Sequence, residues 1–278
     1  MEIFNADCLE KMKDLEEDSI DLIFCDLPYG VTSCKWDCKI DLEEFWKQVM
    51  RIKKLNTPIF FTTTTKYGVD LIQSAPKKCF FRYDLVWVKS VPAGFLCAKK
   101  MPMRKHEMIY VFYEKLPFYD LSSHKHKFIK ERDTEQKNGK IYEGNGNKKI
   151  IEGKYDPPLP VSVVKEEKNS NKNSELYGEL KDNGYYHLRK NGETTAYNPP
   201  LPTTMLEIKS TRGKHSTEKP VALMEWIFKY YSKEGDTILD PTMGSGSTGV
   251  ACKNMNRKFI GIEKDEDIFK VAQSRLND

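Results

Sequence analysis

Asp26-Leu27-Pro28-Tyr29 gathers a carboxylate, a backbone carbonyl that proline leaves without a local partner, and an aromatic face into four residues. Those groups suit an amino group attached to a heteroaromatic ring. The nitrogen of such a group is a poor nucleophile because its lone pair is delocalised. A carboxylate and a carbonyl that accept its two N–H bonds draw it toward a tetrahedral form and aim the lone pair outward. Asp26 and the Leu27 or Pro28 carbonyl supply the acceptors, and the Tyr29 ring offers a stacking face and a π system that favours a nearby cation. No covalent intermediate is needed. Chemistry at a ring carbon would instead call for a cysteine nucleophile, but strand alternation turns Cys25 to the face opposite Asp26. Taken alone, the tetrapeptide reads as a turn in which Asp26 bonds local amides.

A second set lies near the carboxyl end. Asp240-Pro241-Thr242-Met243-Gly244-Ser245-Gly246-Ser247-Thr248 sits between an apolar run and a helical pattern, and Glu263 follows 23 residues after Asp240. Glycines let a backbone approach a ligand closely, and an acidic residue about twenty positions on accepts both hydroxyls of a ribose. The run lacks the lysine of a phosphate-binding loop, which points away from nucleoside triphosphates and toward a cofactor without polyphosphate. S-adenosylmethionine fits: Glu263 takes its ribose and Asp240 its ammonium. Read as structure alone, the run is a tight strand-to-helix turn with Glu263 as an amino-terminal helix charge. Asp7, in Asn5-Ala6-Asp7-Cys8-Leu9, reads from its position as a helix cap.

The elements that must carry these residues alternate. Apolar segments 20–27 and 237–240 read as buried strands, each ending at an aspartate and a turn. Around them the pattern predicts helices over 9–15, 41–54, 67–74, 247–255 and 266–276, and strands over 58–62, 80–88, 107–113 and 258–262. Strands alternating with helices mean an α/β sheet that binds ligands at the carboxyl ends of its strands. Residues 116–202 differ in character. They are rich in Lys, Asn, Gly and Glu, lack helical periodicity, and hold the hairpin signals Asn138-Gly139, Asn183-Gly184 and Asn191-Gly192. Tyr155-Asp156-Pro157-Pro158-Leu159-Pro160 recurs 42 residues later as Tyr197-Asn198-Pro199-Pro200-Leu201-Pro202. The expected organisation is a catalytic domain in two parts, 1–115 and 203–278, around a mainly β inserted module at 116–202.

With 278 residues and 39% hydrophobic content, the chain can bury a catalytic core and carry such an insert. No run of about 18 apolar residues occurs, so a cytoplasmic enzyme is expected. The seven cysteines follow no disulfide framework, and Cys25, Cys34 and Cys38 form no CxxC or Cys/His ligand set, so no metal is expected. Net charge is +4, yet between Lys77 and His106 eight Lys or Arg oppose Asp84 alone, a local excess of +7. Such a concentration suits a phosphate surface, though a solvated loop has the same composition.

These residues together resemble a family, the β class of amino-methylating DNA methyltransferases. Asp26-Leu27-Pro28-Tyr29 resembles its catalytic D/N/S-P-P-Y/F motif, and the Asp240 run resembles its DPFxGSGTT cofactor motif. His215-Ser216-Thr217-Glu218-Lys219-Pro220 is similar to HPTQKP, which lines the methionine end of the cofactor, and Arg104-Lys105-His106-Glu107 resembles a basic-HE segment that opens a strand. Leu27 replaces the first proline but keeps its carbonyl, and Ser216 and Glu218 replace a proline and a glutamine. The resemblance covers 1 to about 115 and about 203 to 278. It implies a Rossmann-like class I methyltransferase sheet with circularly permuted motif order and an inserted target-recognition module. It implies S-adenosylmethionine as cofactor, with Asp7, Cys8, Asp240, Gly244, Ser245, Gly246, Ser247, Thr248, Glu263, Thr217 and Lys219 as its contacts, Asp7 now as an acceptor for the adenine amino group. Asp26, Leu27, Pro28 and Tyr29 become catalytic. The partner implied is double-stranded DNA, in a restriction-modification setting, met by Trp36, Lys99, Lys100, Arg104 and Lys105, with homodimers common in the class. A leading Asp accompanies adenine N6 products in the family, with cytosine N4 as the alternative. A DNA-binding protein without turnover, and methylation of RNA or protein glutamine, are remoter readings. The insert holds fifteen Lys or Arg against thirteen Asp or Glu, so phosphate affinity is expected from the +7 segment and base reading from the insert.

Overall fold

A computed structural model describes residues 1–30, 39–93, 100–123, 125–132, 150–156, 207–208 and 218–277. Five parallel strands form its centre: β1 (Glu2–Asn5), β2 (Leu22–Cys25), β3 (Ile59–Thr63), β9 (Thr237–Asp240) and β10 (Lys258–Glu263). β4 (Phe80–Ala93), β5 (Arg104–Tyr113) and the two-residue β8 (Glu207–Ile208) extend one edge, giving the order β1-β10-β9-β2-β3-β5-β4-β8. β5 is antiparallel to both neighbours.

Strand alternation gives the sheet two apolar faces. Ile23 and Cys25 of β2, Ile59 and Phe61 of β3, and Phe112 of β5 pack beneath α1 (Cys8–Met12), α2 (Leu42–Ile52) and α3 (Thr65–Ser74). Leu22 and Phe24, Phe60, and Ile109 and Val111 pack on the opposite face beneath α4 (Val221–Tyr231), α5 (Ser247–Asn254) and α6 (Glu266–Asn277). Cys25 therefore lies in the core on the face away from Asp26, as alternation requires. Asp41 starts α2 by accepting the Glu43 and Glu44 N–H groups, and Thr64 does the same for Tyr67 in α3.

From β2 the chain runs through α2 to β3 on one side; from β9 it runs through α5 to β10 on the other. Strand order reverses between β2 and β9, and such a reversal opens a crevice at the strands' carboxyl ends. The ends of the expected strands shift by a few residues. Helix α4 adds to the elements the sequence pattern predicts: in VALMEWIFKYY only Glu225 and Lys229 are charged, so the outward stripe through Ala222, Glu225 and Lys229 is narrow, while six of the eleven residues are buried.

Of the inserted module, β6 (Lys125–Arg132) and β7 (Ile150–Asp156) are described as an antiparallel pair forming a sheet of their own. The Asn138-Gly139 turn, both other Asn-Gly pairs and most of the two proline straps lie outside the described residues. Among the described residues no helix is long and apolar enough to cross a membrane.

Candidate active site

Four carboxylates stand at the carboxyl ends of four adjacent parallel strands: Asp7 after β1, Glu263 on β10, Asp240 on β9 and Asp26 after β2. Their surroundings separate their capabilities. Glu263 accepts the Gly244 N–H at 3.0 Å on one oxygen and the Asp265 N–H at 2.8 Å on the other. Each oxygen keeps a lone pair for a vicinal diol. Burial raises its pKa, against the pull of those amides.

Asp240 is buried. It accepts the Thr242 N–H at 3.1 Å and the Thr248 hydroxyl at 2.5 Å, so it ties the loop to the first turn of α5. Burial pushes its carboxyl up to about 7. Gly244 has φ +51° with open space where a Cβ would stand, so its backbone faces the crevice bare. Gly246, at φ +82°, packs instead on Ala272 of α6 and begins α5. Thr248 and Ser247 are buried in the loop's own bonding, Ser247 donating to Glu218 at 3.1 Å. Arg275 completes this clasp, pairing with Glu218 at 2.6 Å and reaching the Ser245 carbonyl and hydroxyl at 3.3 Å.

Asp7 caps α1 through the Leu9 N–H at 2.9 Å and pairs with Lys264 at 3.0 Å. Burial works against its charged form, but Lys264 and the Leu9 N–H together hold its pKa below the usual carboxylate value. The Cys8 thiol packs into the core, and burial pushes it up to about 12, so any ligand contact is left to its backbone.

Asp26 is held differently, by the side chains of Tyr29 beside it and of Thr62 and Lys219 from distant stretches of chain. The Tyr29 hydroxyl shares its one proton between Oδ1 and the Thr62 carbonyl, each at 2.9 Å, and the Thr62 hydroxyl donates to the same Oδ1. Lys219 donates to Oδ2 at 2.6 Å. The Thr242 hydroxyl reaches the Asp26 carbonyl at 3.1 Å, which joins the tetrapeptide to the glycine loop. Burial, then the charge of Asp26, raises the Tyr29 phenol well above its ordinary value, so it remains a donor. Its ring lies 5.3 Å from that of Tyr67. Leu27 is buried, and Pro28 is half-buried beside it.

Lys219, expected among the cofactor contacts, donates to the Asp26 carboxylate. Thr62 and Arg275 were not singled out in the sequence, and Thr242 and Glu107 stood in motifs there without a role of their own. Strand alternation held a signal for two of them: Phe24-x-Asp26, Phe60-x-Thr62 and Glu107-x-Ile109 carry one sheet face from apolar to polar on neighbouring strands. Lys100 and Arg104 are exposed. Two members of the +7 segment serve the fold: Arg82 bonds the Tyr113 and Glu114 carbonyls, and Lys89 pairs with Glu107. Trp36, Lys99 and Thr217 lie outside the described residues. Among the described residues no cluster of three or more His, Cys, Asp or Glu could hold a metal ion.

A family model described as DNA methylase, of N6/N4 type, matches residues 20–274. The type II methyltransferase M2.DpnII of Streptococcus pneumoniae is 47% identical over 70 residues, 25% of this chain and 26% of that protein. The match spans about a quarter of the length of the curated relatives. Among solved structures, the M1.HpyAVI–SAM complex aligns over 99% of both chains with TM-score 0.57 and 22% identity. The cytosine-N4-specific PvuII DNA methyltransferase aligns over 99% of this chain and 86% of its own, with TM-score 0.58 and 13% identity. These two likenesses establish the class I methyltransferase fold.

Proposed function

The chain belongs to the DNA methylase family of N6/N4 type, and from that premise we propose that it transfers a methyl group from S-adenosylmethionine to adenine N6 in duplex DNA. The observation that supports this most is the Thr242–Asp26 bond at 3.1 Å, which sets the carboxylate suited to an amino group against the loop suited to the cofactor. The residues fit the cofactor. Glu263 would take the ribose hydroxyls, Gly244, with no Cβ, would let the backbone approach closely, and Asp7 would accept from the adenine amino group. When bound, the cofactor supplies an electrophilic methyl group.

This chain's own groups do the rest. Asp26 Oδ1 and the Leu27 or Pro28 carbonyl accept the two amino N–H bonds, aim the lone pair, and give the departing proton an acceptor. Tyr29 and Thr62 release Oδ1 as the amino group arrives, and the freed Tyr29 ring stacks on the extruded base. Lys100 and Arg104, with Lys99, Lys105 and Trp36, meet the DNA backbone and the flipped strand, and the insert reads sequence.

Incubation with methyl-labelled cofactor and a mixture of duplex DNA, RNA and protein tests the substrate class. Label is expected in DNA; label confined to RNA or protein overturns the reading. Cytosine N4 is the second reading, favoured by the fold shared with the cytosine-N4-specific PvuII enzyme. Asp26, rather than the serine that accompanies N4 products in the family, favours adenine.

A further inference from the structure

Lys219 precedes α4 with a side chain only 10% exposed. Its ammonium lies 2.6 Å from Asp26 Oδ2 and 3.6 Å from Glu107 Oε2. Glu107 takes Lys89 on Oε1, and among the described residues its buried Oε2 has no hydrogen-bond partner. Asp26, Lys219, Glu107 and Lys89 thus form a row of alternating sign, two charges of each kind. A buried ammonium is tolerable only with such compensation. A neutral row also spares the cationic cofactor a net positive neighbour.

The two oxygens of Asp26 are held unequally. Oδ1 accepts two hydroxyls, from Tyr29 and Thr62, which are neutral donors and exchange readily for an incoming N–H. Oδ2 accepts an ammonium, and a charge-assisted bond is about twice as strong as a neutral one. When an amino group enters, Oδ1 changes partners and Oδ2 keeps its own. Glu107, on the far side of the ammonium and short of a donor, keeps Lys219 from following the substrate. We propose that Lys219, anchored by Glu107, is a positioning residue that fixes Asp26 with Oδ1 toward the substrate amino group. The inference rests on the amino-transfer reading, and it gives Lys219 a place other than the cofactor contact its motif implies.

Lys219→Met keeps the length of the side chain and removes the charge. Steady-state methylation of duplex DNA is measured beside cofactor binding by calorimetry. Misplacing a reacting group by about 1 Å costs about 100-fold, so kcat is expected to fall by about that factor. Cofactor Kd and the KM for DNA should stay within about threefold of wild type, as for an interaction used only in the transition state. Lys219→Arg should recover part of kcat, and so should ethylamine added to Lys219→Ala. Retained cofactor binding shows that a variant has folded. Should Lys219→Met not fold, Glu107→Gln carries the test: its kcat should drop about tenfold with cofactor Kd unchanged. Wild-type kcat with weakened cofactor binding in Lys219→Met, or wild-type kcat in Glu107→Gln, overturns the inference. Absence of methyl transfer to DNA by the wild-type protein overturns the functional reading itself, and that is seen before any variant is measured.

Discussion

Two loops leave neighbouring strands at the same end of the sheet and are built in opposite ways. The loop after β9 is tied through its backbone and braced from outside: Asp240 takes Thr242 and Thr248, Glu263 takes backbone N–H groups of Gly244 and Asp265, and Glu218 and Arg275 clasp Ser247 and Ser245. The tetrapeptide after β2 is organised by side chains, with Tyr29, Thr62 and Lys219 all donating to Asp26. A site whose backbone N–H groups and bracing side chains are already paired with one another is preformed before its ligand arrives. A site made from exchangeable hydroxyls must swap partners, and so is built for a group that enters, reacts and leaves.

The largest break in this contrast is expected at Asp26. Asp26→Ala should lower kcat by at least about a thousand-fold, the scale of losing a positioned acceptor, while calorimetry finds cofactor binding within a few-fold of wild type. Glu263→Ala should do the reverse, because hydrogen bonds to a charged group contribute about 1.5–3 kcal/mol each. Its cofactor Kd should rise about tenfold to a hundredfold, and kcat at saturating cofactor should change little. Equal losses of affinity in both variants would erase the distinction between the loops.

Asp240 sharpens it through pH. The folded chain holds this proton up to about pH 7, whereas the unfolded chain releases it near the ordinary value of 3.8. The unfolded state therefore binds fewer protons between these values. The stability this carboxyl contributes is full below about pH 4 and is lost as pH rises through about 7. In cofactor-free denaturation, the stability of wild type relative to Asp240→Asn should decline across that window; a rise would contradict the burial argument. The smallest effect is expected at Gly246. A Cβ there stands 3.3 Å from that of Ala272 at φ +82°, so Gly246→Ala should cost about 1–2 kcal/mol, read by urea denaturation.

The same contrast explains what the sequence made legible. Gly244, Gly246 and Glu263 follow one another along the chain at a spacing set by one strand-helix-strand unit, so the cofactor loop is visible as a string of letters. The parallel centre of the sheet was legible for a like reason, since each strand has its own apolar run and turn. Thr62, Glu107 and Lys219 are separated from Asp26 by 36, 81 and 193 positions. Only the register of β2 on β3 and β3 on β5, and the path of the chain into α4, bring them together. Without the sheet order, Lys219 looked like a cofactor contact and Glu107 like the opening of a strand. Helix α4 escaped because its polar stripe is narrow, Glu225 and Lys229 alone carrying charge on an otherwise apolar run.

The central claim, transfer to an exocyclic amino group aimed by Asp26, is tested most directly by the product. Duplex DNA labelled by the wild-type protein is digested to nucleosides and the methylated one is identified by mass spectrometry. N6-methyladenine is the result this account predicts. N4-methylcytosine would contradict the choice of base, and a methyl group on a ring carbon would contradict the mechanism.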